Sequence, residues 1–166
     1  MKAIVYTSKT GHTAEYAKII GEKMNLPVCS LKDAKKQIKE KTEILYLGWL
    51  FASHIKGYKK ANAKYNIRAV CAVGLCDTGA LLAEVRNVNK IPVNTPLFTL
   101  QGGMDRSKLR GMHKWMIQML QKGLSAQAQR SESEERMLCL LAQDANYVSE
   151  ENLSALMKWY DENSGK

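Results

Sequence analysis

Apolar residues in this chain gather in short runs that recur along its first hundred positions. Ala3-Ile4-Val5-Tyr6-Thr7 is the first, followed by Pro27–Leu31, Ile44-Leu45-Tyr46-Leu47-Gly48, Ala69-Val70-Cys71-Ala72-Val73-Gly74 and Pro96-Leu97-Phe98-Thr99-Leu100. Runs of this length, rich in β-branched and aromatic residues, predict five strands. The third and fourth are apolar at successive positions, the pattern of strands buried on both faces. Between the runs the spacing turns helical. Ala14, Ala17, Ile20, Gly21 and Met24 share one face until Asn25 and Pro27 stop the helix. Asp33 is expected to cap a basic helix through Lys41, and another basic helix ends near Tyr65. Trp49–Lys56 reads as a loop, and Leu81, Leu82 and Val85 mark a helix after the Asp77-Thr78-Gly79 turn. Beyond the fifth run the pattern is helical, at about 107–123, 132–146 and 149–162. Strands alternating with helices predict an α/β fold with a doubly wound parallel sheet. The organisation expected is one domain over 1–166, with a core at 1–105 and a C-terminal helical extension at 106–166. Ligands of such sheets bind outside the carboxyl ends of the strands, so the loops there hold the candidate chemistry.

Ser8-Lys9-Thr10-Gly11-His12-Thr13 joins the first strand to the first helix. It offers three hydroxyls, a glycine for a tight turn and the free N–H groups of a helix start, which together suit a phosphate. One glycine is too few for a P-loop or for a dinucleotide fingerprint. Gly74-Leu75-Cys76-Asp77-Thr78-Gly79 has the glycine spacing of a P-loop, but Ala80-Leu81 follows where Lys-Ser/Thr is needed, which excludes a nucleotide triphosphate there. Trp49-Leu50-Phe51-Ala52 offers stacking surfaces for a flat aromatic ligand, unless Trp49 and Phe51 simply continue a long strand.

Composition narrows the partners. Of 25 Lys+Arg and 16 Asp+Glu, residues 1–131 hold 22 and 8, and residues 132–166 hold 3 and 8. A basic body with an acidic tail points to an anionic partner such as a phosphate, an acidic small molecule or a membrane surface. No acid interrupts 106–130, where Leu109, Met112, His113, Met116, Ile117 and Leu120 form an apolar helical face with Arg110, Lys114, Gln118 and Lys122 opposite. Such a helix suits contact with lipid or with a large flat acidic ligand. Nucleic acid is not expected, since no recognised module accompanies the lysine-rich helices. The histidines (His12, His54, His113) are too scattered for a metal site, and Cys29, Cys71, Cys76 and Cys139 include no CxxC. Reduced cysteines and the lack of a signal-peptide core or an 18-residue apolar stretch predict a cytoplasmic protein, with peripheral contact at the inner face of the membrane as the basic stretch suggests.

Ser8-x-Thr10-Gly11-x-Thr13 directly after a first strand resembles the phosphate loop of the flavodoxins, which bind flavin mononucleotide (FMN). The resemblance spans about residues 1–105 and implies strand order 2-1-3-4-5. It further implies that Ser8, Lys9, Thr10, Gly11, His12 and Thr13 surround the FMN phosphate, that Trp49, Leu50, Phe51 and Ala52 form a first flavin-covering loop, and that Leu75, Cys76, Asp77, Thr78 and Gly79 form a second. Gln101-Gly102-Gly103-x-Asp105 followed by a basic helix through Met116-Ile117-x-Met119-Leu120 is similar to the flavodoxin-like, menaquinone-dependent protoporphyrinogen dehydrogenases. That likeness implies an FMN-dependent oxidoreductase with a porphyrinogen-type or other organic donor and a quinone acceptor. The alternative it leaves open is an electron carrier docking on a redox partner protein. No catalytic side chain is assigned, because in either case the cofactor carries the chemistry.

Overall fold

Alternate residues of the central strands enter two different cores, and the sheet they form is covered on both sides. A computed structural model describes residues 1–127 and 129–163. In chain order the elements are β1 (Ala3–Thr7), α1 (His12–Met24), β2 (Val28–Ser30), α2 (Leu31–Gln37), β3 (Glu43–Phe51), β4 (His54–Ile55), α3 (Tyr58–Lys64), β5 (Asn66–Gly74), α4 (Leu82–Asn89), β6 (Leu97–Gln101), β7 (Gly103–Met104), α5 (Met112–Ser125), α6 (Glu132–Ala142), β8 (Ala145–Asn146) and α7 (Ser154–Asn163). The long strands pair in parallel in the order β2-β1-β3-β5-β6. With β4 set aside as the short return arm of a hairpin on β3, this is the expected 2-1-3-4-5 order.

Ala3, Val5, Ile44, Tyr46, Val70 and Ala72 face one core, closed by Ala34 of α2, Tyr58 and Ala61 of α3 and Val85 of α4. Ile4, Leu45, Leu47, Ala69, Cys71 and Val73 face the other, closed by Tyr16, Ala17 and Ile20 of α1 and by Leu153 and Leu156 near α7. Helix α7 therefore completes the sandwich. What stands apart from the β/α framework is the stretch between β6 and residue 148, which carries α5 and α6 and returns through the two-stranded β7–β8 sheet. Segment 106–166, expected to be uniformly an extension, thus contributes its last helix to the core.

Several elements differ from expectation for local reasons. β3 runs on to Phe51, so Trp49–Phe51 are strand residues and only Ala52-Ser53 turn, with φ of 45° and 59°. Positive φ at both central residues gives the twist a two-residue hairpin needs. Asn89 clamps this turn by donating to the Ser53 carbonyl at 2.7 Å and accepting from the Ile55 N–H at 2.8 Å. Helix α2 is capped by Ser30, whose hydroxyl accepts from the Asp33 N–H, and it ends at Gln37 as Ile38 becomes extended. Leu81 and Leu82 stay exposed, and α4 buries only Val85 and Asn89. Helix α6 stops at Ala142, because Ala145 and Asn146 pair with Gly103 and Met104.

Candidate functional site

The carboxyl ends of β1, β3 and β5 converge on one rim of the sheet. Beneath it, Tyr46 donates its hydroxyl hydrogen to the Lys56 carbonyl at 2.7 Å, which leaves Thr7 to donate to the Tyr46 oxygen at 2.8 Å. Burial pushes the Tyr46 hydroxyl up to about 12, partly offset by Thr7, so it stays a fixed neutral dipole. Thr7 ends β1, and this pair therefore anchors the start of the next loop. Gly57 makes room for it. A Cβ there would lie 2.2 Å from the Tyr46 hydroxyl and 2.5 Å from Thr7 Oγ1, and its φ is +84°.

The loop turns at Gly11, whose N–H donates to Ser8 Oγ at 3.3 Å and whose φ is 115°. No side chain caps α1. The first N–H groups of a helix lack partners of their own, and its dipole concentrates positive charge there. Two grooves flank the loop: one of about 500 Å³ along Thr7–Gly11, Ser30–Lys32 and Lys108, the other of about 430 Å³ bounded by Glu15, Asp105, Lys108 and Asp144. His12 and Thr13 begin the helix and are buried, and Thr10 Oγ1 is 3.1 Å from His12 Nδ1. The His12 imidazole lies below its ordinary range, first through burial and then through the Lys108 ammonium, against the opposite pull of Glu15 and Asp105.

This shift has a consequence for stability. An unfolded histidine takes a proton near pH 6.5, whereas folded His12 resists it to lower pH. Its contribution is fully present above pH 6.5, declines as the pH falls below that value, and levels off once the folded pKa is passed. The urea midpoint should drop between pH 8 and pH 5, and His12→Gln should flatten part of that drop. An unchanged pH profile in the variant would refute the assignment.

A third, more enclosed cavity of about 110 Å³ opens beside the loop. Lys9, Thr10, His12 and Thr13 line one side, Trp49, Leu50 and Phe51 another, and Leu75 a third. The Trp49 and Phe51 rings meet edge-on with centroids 6.1 Å apart, and Lys56 Nζ lies 5.1 Å from the Phe51 centroid. Ser8 and Gly11 border the flanking grooves instead. Ala52 is at the exposed hairpin tip, outside the cavity lining. The second expected covering loop is largely turned away. Asp77 pairs with Arg136 at 2.8 Å, Thr78 accepts from the Gln101 N–H, and the Gly79 N–H donates to the Thr99 carbonyl. Cys76 is half-buried, and burial together with Asp77 and Glu84 pushes its thiol up, away from the thiolate a nucleophile needs.

The lining also includes residues not expected around the flavin, Val73, Gly74, Gly103, Met104, Leu109 and Ile117, of which Leu109 and Ile117 belong to the apolar helical face that the sequence marks. The Gly102-Gly103 pair after β6 was the available signal. A Cβ on Gly102 would lie 2.6 Å from Val73 Cγ1, and one on Gly103 would lie 2.1 Å from the Ala145 carbonyl. Among the described residues no group of three or more His, Cys, Asp or Glu side chains is arranged to hold a metal ion, and no helix is long and apolar enough to cross a membrane.

Compared with known proteins, residues 3–131 match a family model described as a flavodoxin domain. No curated protein and no solved structure matches the chain significantly.

Proposed function

The chain belongs to the flavodoxin domain family, and on that premise we propose that it binds FMN and works as an FMN-dependent oxidoreductase. The uncapped start of α1 beside an apolar, aromatic-lined cavity carries this reading. The N–H groups after Gly11 and the hydroxyls of Ser8, Thr10 and Thr13 suit a phosphate. Trp49 and Phe51 suit one face of a flat ring, and Leu109 and Ile117 the other. Ligand pockets usually measure about 300–1,000 Å³. A ring seated in a cavity of about 110 Å³ therefore requires Leu109 and Ile117 to move outward. Bound there, FMN would supply the electron-transfer chemistry, with the protein orienting it and limiting access of water.

The finer reading is a protoporphyrinogen dehydrogenase-like reaction, with an acidic porphyrinogen-type donor and a quinone acceptor. The acid-free stretch 106–130 supports it. Along α5, Met112 is 70% and Trp115 60% exposed, with Met119 and Leu120 also exposed and Arg110 and Lys114 close in the chain. An apolar face with basic flanks suits the anionic surface of a membrane in which a quinone is dissolved. This reading makes the protein a cytoplasmic one with peripheral membrane contact and no role for nucleic acid.

The purified protein is expected to be yellow and to release FMN on heating, and a colourless protein that takes up no added FMN would overturn the reading. With FMN bound, protoporphyrinogen should be oxidised in the presence of a menaquinone analogue, faster on anionic than on neutral vesicles. FMN binding without turnover would instead favour the carrier that docks on a redox partner protein.

A further inference from the structure

Lys108 belongs to the stretch between β6 and α7, in the short 3₁₀ turn Arg106–Lys108, yet its ammonium reaches the loop that follows β1. A Cβ on Gly11 would stand 3.8 Å from Lys108 Nζ, and Lys108 lines both grooves flanking that loop. Its ion-pair partner is Asp105, 2.7 Å away, whose carboxylate also accepts from Ser107 Oγ at 2.5 Å and from the Lys108 N–H at 3.3 Å. The Lys108 side chain is 59% exposed, so its head is free to change partners without disturbing the core. A phosphate monoester carries about −1.5 to −2 charge at pH 7, against −1 for Asp105, and offers three acceptor oxygens. An ammonium on a flexible stem is a suitable point donor to such a group.

We propose that Lys108 is a ligand of the phosphate held on Ser8–Thr13, exchanging Asp105 for a phosphate oxygen and so tying the segment between β6 and α7 to the loop. The inference rests on the reading that this loop holds FMN. Lys108 precedes Leu109, which lines the ring cavity, so the contact at the phosphate also sets where one wall of that cavity lies. The phosphate end of the ligand would thereby hold the segment beside the ring end once Leu109 and Ile117 have made room for it.

Riboflavin separates the two ends, because it has the ring of FMN and lacks the phosphate. In a flavin-fluorescence titration, Lys108→Met should weaken FMN binding about tenfold, the scale of one exposed charge-assisted hydrogen bond, and leave riboflavin binding unchanged. Lys108→Arg should retain most of the preference for FMN. Lys60→Met makes the same charge change on α3, away from both grooves, and should alter either affinity less than about twofold. FMN, but not riboflavin, should protect the Arg110–Lys122 stretch from trypsin, and Lys108→Met should lose that protection. An unaltered FMN-to-riboflavin ratio in Lys108→Met, or equal weakening of both flavins, would overturn the inference while leaving FMN binding intact. A wild-type protein that binds neither flavin would overturn the FMN reading as well.

Discussion

Gly57→Ala is expected to lose about 3 kcal/mol of stability, a large effect for one added methyl group. Two costs combine. At φ +84° an L-residue occupies a left-handed conformation, at roughly 1–2 kcal/mol. The new Cβ would also lie far inside contact distance of the Tyr46 hydroxyl and Thr7 Oγ1, so this half-buried pair must separate. Leaving such groups unsatisfied costs roughly 1–3 kcal/mol. Urea unfolding measures the sum. Tyr46→Phe removes the hydroxyl without touching the backbone, and should reproduce only the hydrogen-bonding share. Because Thr7 leads directly into Ser8–Gly11, both variants should also bind FMN more weakly. A midpoint for Gly57→Ala close to that of the wild type would show that the turn relaxes freely and that the Tyr46–Thr7 pair anchors nothing.

The second large effect concerns α7. Leu156 is fully buried in the core it shares with Ile4, Tyr16, Ile20 and Leu45. Truncating a leucine in such a site costs roughly 2–5 kcal/mol, so Leu156→Ala should destabilise the whole fold by about 3 kcal/mol. Leu120 is as apolar and also lies beyond β6, but it is 46% exposed on α5, and Leu120→Ala should change stability by less than about 0.5 kcal/mol. Comparable losses in the two variants, measured by the same denaturant titration, would contradict the division between framework and interposed segment.

The framework was legible because β1, β3 and β5 are apolar on both faces, a pattern that few structures other than a covered parallel sheet accommodate. The loop after β1 stood out as a candidate site because its residues are contiguous. The cavity opposite it was only half legible. Trp49, Leu50 and Phe51 announce themselves by type, whereas Met104 sits in the two-residue strand β7, too short for any periodicity to register, and the helical spacing that marks Leu109 and Ile117 as apolar does not say which part of the fold they meet. Tyr16 shows a second limit. Spacing marked Ala14 for the buried face, yet Tyr16 is the fully buried residue, donating to the Gln101 carbonyl at 2.6 Å and accepting from Asn152 Nδ2 at 2.7 Å. A tyrosine is buried when distant partners meet its hydroxyl, and those partners lie 85 and 136 positions away. The second expected covering loop shows the same limit: its turn residues bond back to β6 and to Arg136, elements that local sequence does not bring into view.

The late position of α7 also bears on how the chain is made. Helix α1 covers part of one sheet face as soon as β1 and β3 exist, but the area near Cys71, Val73 and Leu100 waits for Leu153 and Leu156. More than fifty residues separate Leu100 from that cover. At synthesis rates of about 5–20 residues per second, that surface stays open for roughly 3–10 s on the ribosome. The nascent chain thus offers chaperones, or neighbouring nascent chains, a bare apolar patch that the finished protein never displays.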